Sequence, residues 1–481
     1  MVMRKILKWS LIGSCVIFSV AACRTPQLPA TPDMAKLPAA FVTDSLPADT
    51  VSSGQTGWQK FYTDEFLVQL ISEVLENHPD QQLALQQVEI MHQQVLQRRA
   101  AFLPTFDGVL SGSYDRYGKY TLNGVGNFDT NLSPNIDKDQ RIPDPTPDLF
   151  IGIRSRWEID LWGRMKSEKK AALSRLLAAE KGRRFVSTQL VAHTASLYYE
   201  LVSLDRELEI LLKNIRLQQQ ALDMVRIQKS AGRATELAVL QFEAQLVRTK
   251  SMEFITRRQV SAIENELNFL CGRYEGTIVR SGKVLALAPE IVETGVPAKV
   301  INSRPDVQEA EWLLEASKAD VIAVKKAFLP ALTIMPYAGL NSFNISKWFS
   351  LESAALGIVG GLTAPVLNRR ILKTNFGIAS AQQRSAFETY RKTLLNAFFE
   401  INTGISNWRN QQSQYEMKQK EFLVLEAALR TANDLYISGY ASYLEVITAQ
   451  KGVLDAELEQ VRTRLQMLQT KVGLYRSLGG G

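Results

Sequence analysis

The sequence predicts an α+β protein made of long coiled-coil helices and four short strands per chain. Three observations carry that prediction. The chain repeats itself once, each repeat contains a long proline-free stretch with coiled-coil spacing, and each contains two short segments with strand alternation.

The repeat comes first because it sets the frame for everything else. Pro79-Asp80 returns as Pro305-Asp306, 226 residues later, and Ala101-Phe102-Leu103-Pro104 returns as Ala327-Phe328-Leu329-Pro330 at the same offset. Gln82, Ala84 and Val95 likewise match Gln308, Ala310 and Val321. Beyond this the offset falls to 205 for Arg164 and Arg369, and to 207 for Gly232 and Gly439, Leu237 and Leu444, and Gly272 and Gly479. An insertion of about 21 residues in the first repeat accounts for the change, and it falls between Arg116 and Asp148, a stretch rich in Asn, Asp, Gly and Pro expected to be a long loop. The expected organisation is a signal peptide over 1–22, a lipidated extension over 23–60, a first repeat over 61–272, a linker over 273–300 and a second repeat over 301–481.

Proline is absent from Asp148 to Ala288 and from Val366 to Gly481. Such gaps suit long helices, because an interior proline costs about 3 kcal/mol. Leu197, Leu201, Leu204, Leu208, Leu211, Ile215, Leu222 and Val225 step by four and three, broken only by Gln218. Leu394, Phe398, Ile401, Ile405, Trp408, Tyr415 and Phe422 do the same in the second repeat, interrupted by Gln412 and Gln419. This is the spacing of a coiled-coil seam. A helix from Trp162 to Ser230 would be roughly 100 Å long at ~1.5 Å per residue. Gly232 and Gly439 end these helices, and Thr235 and Ser442 can cap the helices that return.

After Pro104 the period changes to two. Phe106, Gly108, Leu110, Gly112 and Tyr114 alternate with Asp107, Val109, Ser111, Ser113 and Asp115. Strands are expected at about 106–114, 149–159, 332–340 and 354–362. Nine to eleven residues match a tilted membrane strand, and Tyr114, Trp157, Trp162, Tyr337, Trp348 and Phe349 cluster at the ends as interfacial girdles do. Periodicity alone fits two soluble hairpins equally well. Strands that enter lipid must close into a barrel, because lipid cannot satisfy an open edge. Barrels start at about eight strands, so four per chain require oligomerisation: two copies give eight, three give twelve.

The first residues are of another kind. Arg4, Lys5 and Lys8 precede an apolar run from Leu11 to Val20, too short to span a bilayer as a helix. Val20-Ala21-Ala22-Cys23 follows. It resembles a lipobox, with cleavage between Ala22 and Cys23 and lipid attached to Cys23; a secreted protein with a chance cysteine is the alternative. Each buried methylene of such a lipid contributes roughly 0.8 kcal/mol of membrane affinity.

Composition excludes several classes. Removing three positive charges with the signal takes the net charge from +7 to about +4, too little to argue for nucleic acid. Of three cysteines Cys15 leaves with the signal and Cys23 is acylated, so Cys271 is the one free thiol and no disulfide framework forms. His78, His92 and His193 lack neighbours at metal-ligand spacing, and Gly357 to Gly361 is not followed by Gly-Lys-Ser/Thr, so neither a metal site nor a phosphate loop is expected. No catalytic constellation and no cofactor site is present in the pattern.

Taken together, the residues resemble the TolC-like outer-membrane factor family, in its lipidated, NodT-type branch that serves resistance–nodulation–division efflux systems. The lipobox ending at Cys23 carries the resemblance, with the repeated Ala-Phe-Leu-Pro, Ser303-Arg304-Pro305-Asp306, and Leu474-Tyr475-Arg476-Ser477-Leu478-Gly479-Gly480-Gly481 at the end. The family implies a homotrimer with a twelve-stranded outer-membrane β-barrel, continued by an α-helical coiled-coil periplasmic tunnel. It implies a membrane channel that conducts drugs or other small molecules, anchored by lipid in the outer membrane. Its partners would be a periplasmic adaptor and an inner-membrane resistance–nodulation–division transporter. Export of polypeptides through the same channel, and a pore-free periplasmic coiled coil, are the competing functions.

Similar channels close their periplasmic tip with aspartates just after the second turn. Here Leu444 fits the apolar constriction, but Thr448 stands where an aspartate is usual. Leu444, with Tyr443 and Thr448 beside it, is the expected gate. The turns at Gly232 and Arg233, and at Gly439 and Tyr440, are the expected adaptor contacts.

Overall fold

The computed structural model describes residues 25–29, 38, 54, 56–282, 297–365 and 369–480. The expected cleavage and lipid-attachment positions, Ala22 and Cys23, lie outside the described residues, as does half of the expected linker, residues 283–296.

Short helices α1 (Trp58–Phe61) and α2 (Glu65–Asn77) lead into α3 (Pro79–Ala100), β1 (Thr105–Asp115), α4 (Leu122–Leu132), β2 (Thr146–Ile159), α5 (Arg164–Ser230) and α6 (Glu236–Leu270). The second half follows with α7 (Pro297–Ser303), α8 (Pro305–Lys326), β3 (Ala331–Ser342), β4 (Ala354–Thr363), α9 (Arg369–Ile437) and α10 (Tyr443–Ser477). The duplication is therefore structural: α3 and α8 have 22 residues each, and α6 and α10 have 35 each. Helices α5 and α9 run 67 and 69 residues. None of the described helices is long and apolar enough to cross a membrane.

The insertion is not a plain loop. Residues 122–132 form α4, whose Thr121 hydroxyl accepts the Gly124 N–H at 3.1 Å. Asn131 then ties the helix to Ile142, donating to its carbonyl at 2.8 Å and accepting its N–H at 2.9 Å. Glycine and asparagine are poor helix formers, and the cap and this clasp outweigh their propensity.

The chain divides into two compact units that cut across the repeats. One is built from residues 91–176 and 313–387, the other from 32–90, 177–312 and 388–481.

In the first unit, β1-β2-β3-β4 form one antiparallel sheet in that order. Two tryptophans pin it to the repeated Ala-Phe-Leu-Pro corners: Trp157 Nε1 donates to the Phe102 carbonyl at 2.9 Å, and Trp162 Nε1 to the Pro330 carbonyl at 2.7 Å.

In the second unit, α2, α5, α6 and α10 bury Leu67, Ile71, Tyr198, Leu201, Leu267 and Tyr475 in one core, and α7, α9 and α10 bury Ile301, Ile401, Ile405 and Leu478 in another. Most of the expected seam of α5 is buried, and Gln218 stays in it, 3% exposed, with neither amide atom paired among the described residues. Arg280 clamps Asp205 (2.5 Å) and Glu264 (2.6 Å). Its hydrogen bonds to Asp205 raise the guanidinium pKa above its ordinary value, holding it charged although burial opposes this.

Candidate functional site

The sheet has two unlike faces, and register assigns every residue to one of them. Leu110 pairs with Ile151, which pairs with Leu340; Ile153 pairs with Ala338, which pairs with Leu356; Leu332 pairs with Leu362. Phe106, Leu110, Ile153, Leu356, Ile358 and Leu362 are all exposed on this mainly apolar side, where Ser155 and Ser342 are the polar exceptions. The opposite side carries Asp107 opposite Arg154, Arg154 opposite Tyr337, and Phe150 opposite Asn341. Four strands in this order leave β1 and β4 without a second strand partner among the described residues. An apolar outer face, a polar inner face and two open edges are what one chain contributes to a shared barrel.

The second element is the pair of helical turns. Helix α5 ends at Gly232 (φ +73°) and α9 at Gly439 (φ +81°). Left-handed backbone here lets Arg233 N–H reach the Gln228 carbonyl, and Tyr440 N–H the Leu435 carbonyl, both at 2.8 Å. The next helices open on caps: Thr235 accepts the Ala238 N–H at 3.2 Å, and Ser442 accepts the Leu444 N–H at 3.3 Å. Glu445 closes a capping box by accepting the Ser442 N–H at 3.0 Å. Its carboxyl is held below the usual range, first by the Ser442 hydroxyl. Glu445 is thus committed to the cap, a role written in the Ser-x-x-Glu pattern.

The expected gate residues separate onto two sides of α10. Leu444, 55% exposed, and Thr448 share one open face, a turn apart. Tyr443 instead turns inward with Ile447, against Ala238, Val239, Phe242 and Leu246. Helices α6 and α10 flank a groove lined by Gln241, Arg248, Leu444, Ile447, Lys451 and Asp455. Gly232, Arg233, Gly439 and Tyr440 are all exposed, and nothing lies within 4 Å of either glycine's missing Cβ. Tyr436 donates to Gln228 Oε1, linking the last turns of α9 and α5.

Among the described residues no group of three or more His, Cys, Asp or Glu is placed to hold a metal. His193 meets Glu266 (3.1 Å), and His78 is buried with Nδ1 accepting the Asp80 N–H at 3.1 Å. Cys271 is a buried free thiol whose pKa burial pushes up to about 11.

A strand-sharing sheet joined to paired coiled coils defines a subunit of an outer-membrane channel. Comparison with known proteins agrees: the family model described as "Outer membrane efflux protein" matches residues 70–273 and 296–480. The chain therefore belongs to the outer membrane efflux protein family, and it is an outer-membrane channel protein of efflux. It is 27% identical over 424 residues to the solvent efflux pump outer membrane protein SrpC of Pseudomonas putida, covering 88% of this chain and 87% of that one. It is 25% identical over 477 residues to the probable outer membrane lipoprotein SilC of Salmonella typhimurium, covering 98% and 99%. The open-state structure of the Neisseria gonorrhoeae outer membrane channel MtrE superposes with a TM-score of 0.82 at 21% identity, covering 95% of this chain and 98% of that one.

Proposed function

We propose that three copies close a twelve-stranded barrel and form the outer-membrane conduit of a tripartite pump for drugs or other small molecules. One observation carries the assembly: a four-stranded sheet, apolar on one face and polar on the other, has both edges open. Lipid cannot satisfy those edges, so β1 of one copy pairs with β4 of the next. The family supports the efflux role, and relatives named for solvent or cation efflux support small cargo. A periplasmic adaptor docks at the exposed turns and the groove between α6 and α10, and the inner-membrane resistance–nodulation–division transporter supplies the energy. Lipid on Cys23 anchors each copy. Leu444 and Thr448 narrow the resting tip, with Tyr443 supporting them from the core beneath.

The test is deletion of the gene, with sensitivity measured against antibiotics, dyes, solvents and detergents. Hypersensitivity reversed by the wild-type copy is the expected result, with weaker rescue by Cys23→Ala. Unchanged sensitivity together with loss of a secreted protein from the medium would replace small-molecule efflux with protein export.

A further inference from the structure

The polar face of the sheet carries a cationic and aromatic cluster to which transport has so far given no role. Phe150 is 5% exposed although it sits on the side away from lipid. Its ring lies across Gly152 and Gly339, where an added Cβ would come within 2.9 and 2.8 Å of Cζ. Arg154, one pleat further along, stacks its guanidinium over that ring, 4.6 Å from the centroid. Tyr337 closes the group edge-on, 6.2 Å from Phe150.

No hydrogen bond or ion pair holds the Arg154 side chain among the described residues. Asp107 is its cross-strand neighbour, yet the two make no ion pair. Arg156, on the same face, is equally without an acidic partner; Thr105 bonds only its backbone carbonyl. Of the other acids of this face, Glu158 is paired with Arg164 at 2.7 Å, while Asp148 and Asp115 accept from the neutral Asn341 at 2.6 Å and Ser113 at 2.8 Å and keep their charge toward the other end of the strands. A guanidinium laid flat on an aromatic ring, exposed and held in no ion pair, can meet an anion.

We propose that Arg154, positioned by Phe150, is a selectivity group of the barrel lumen that favours anions, and aromatic anions most. The inference rests on the closed barrel proposed above, which would place three such groups in a ring. The phenyl shelf restricts the guanidinium to one orientation. A planar organic anion can then pair with the charge and stack on its free face.

The experiment uses the purified full chain in planar bilayers, with reversal potentials in a potassium chloride gradient and block by naphthalene-2-sulfonate. Removing one charge per copy with Arg154→Gln should lower the chloride-to-potassium permeability ratio about three-fold, as expected for a ring of charges across a screened aqueous lumen. Arg154→Lys should keep the ratio but weaken naphthalene-2-sulfonate block about three-fold, since ammonium cannot stack as guanidinium does. An Arg154→Gln channel that conducts like wild type with an unchanged ratio overturns the proposal, and equal block of wild type and Arg154→Lys overturns its aromatic preference. A wild-type protein without conductance refutes the channel itself, and the inference with it.

Discussion

Arg304 offers a strong test of how the second repeat is held together. The residue is 6% exposed. Its Nε and Nη2 grip Asp306 at 3.0 and 2.9 Å, and Nη1 and Nη2 both reach Glu400 Oε2 at 3.0 Å. Nη1 also donates to the Ser477 carbonyl at 2.8 Å, so one guanidinium joins the starts of α8 and the end of α10 to the middle of α9. Arg304→Ala would strand that carbonyl and take one partner from each of the two carboxylates. Breaking a buried ion pair by removing one partner costs about 3–5 kcal/mol. The lower end, about 3 kcal/mol, applies here, because Glu400 keeps Arg476 and Asp306 keeps the Val307 N–H. Arg304→Lys retains the charge but not the fork and should recover about half of that loss. Urea titration of the detergent-solubilised protein, followed by tryptophan fluorescence, measures both, with the temperature at which the oligomer dissociates on a gel as a second readout. An Arg304→Ala protein within about 0.5 kcal/mol of wild type would refute the argument that this residue is a packing hub. The position is specific to the second repeat: its counterpart 226 residues earlier is His78, which meets the Asp80 backbone and the Phe269 ring instead.

Other outcomes follow from the same geometry. Gly439→Ala should destabilise the second turn by about 1 kcal/mol through backbone strain alone, since no atom crowds the new methyl; equal urea midpoints would contradict this. Leu444→Ser should raise single-channel conductance and antibiotic leak, whereas Tyr443→Ser should chiefly lower stability, because only Leu444 lies on the open face; identical effects of the two would count against the assigned faces. Cys271 should resist alkylation at pH 8 until the protein unfolds. Its pKa is raised in the fold, so its neutral thiol supports stability below about pH 9, and that support is lost as pH rises toward about 11. A Cys271→Ser protein losing stability over the same alkaline window by the same amount would show that the thiol is not the cause.

What the sequence determined by itself is what depends on local periodicity. The steps of three and four in α5 and α9, the alternation in β1 to β4 and the glycines at 232 and 439 are each set within a few residues, so helices, strands and turns are legible without contacts. The duplication made them more so, because each motif appears twice. Helix α4 was hidden by its composition: Asn123, Gly124, Gly126 and Asn127 argue for a loop, and Asn131 overrides them through Ile142, eleven residues away. Thr121 before Leu122 and Val125 was the available signal.

Only the tertiary structure decided which residues meet. Arg304 finds Glu400 96 residues on and the Ser477 carbonyl 173 residues on, and no local pattern encodes such a meeting. The family resemblance put Tyr443 and Leu444 in one gate, yet a step of about 100° between neighbours, read against α6, sends one inward and leaves the other open. The same holds for Phe150: alternation put it on the polar face, and only pairing with β3 laid its ring over Gly152 and Gly339 beneath Arg154. Local chemistry selects the elements, but which side chains converge is fixed by register and packing between segments far apart in the chain.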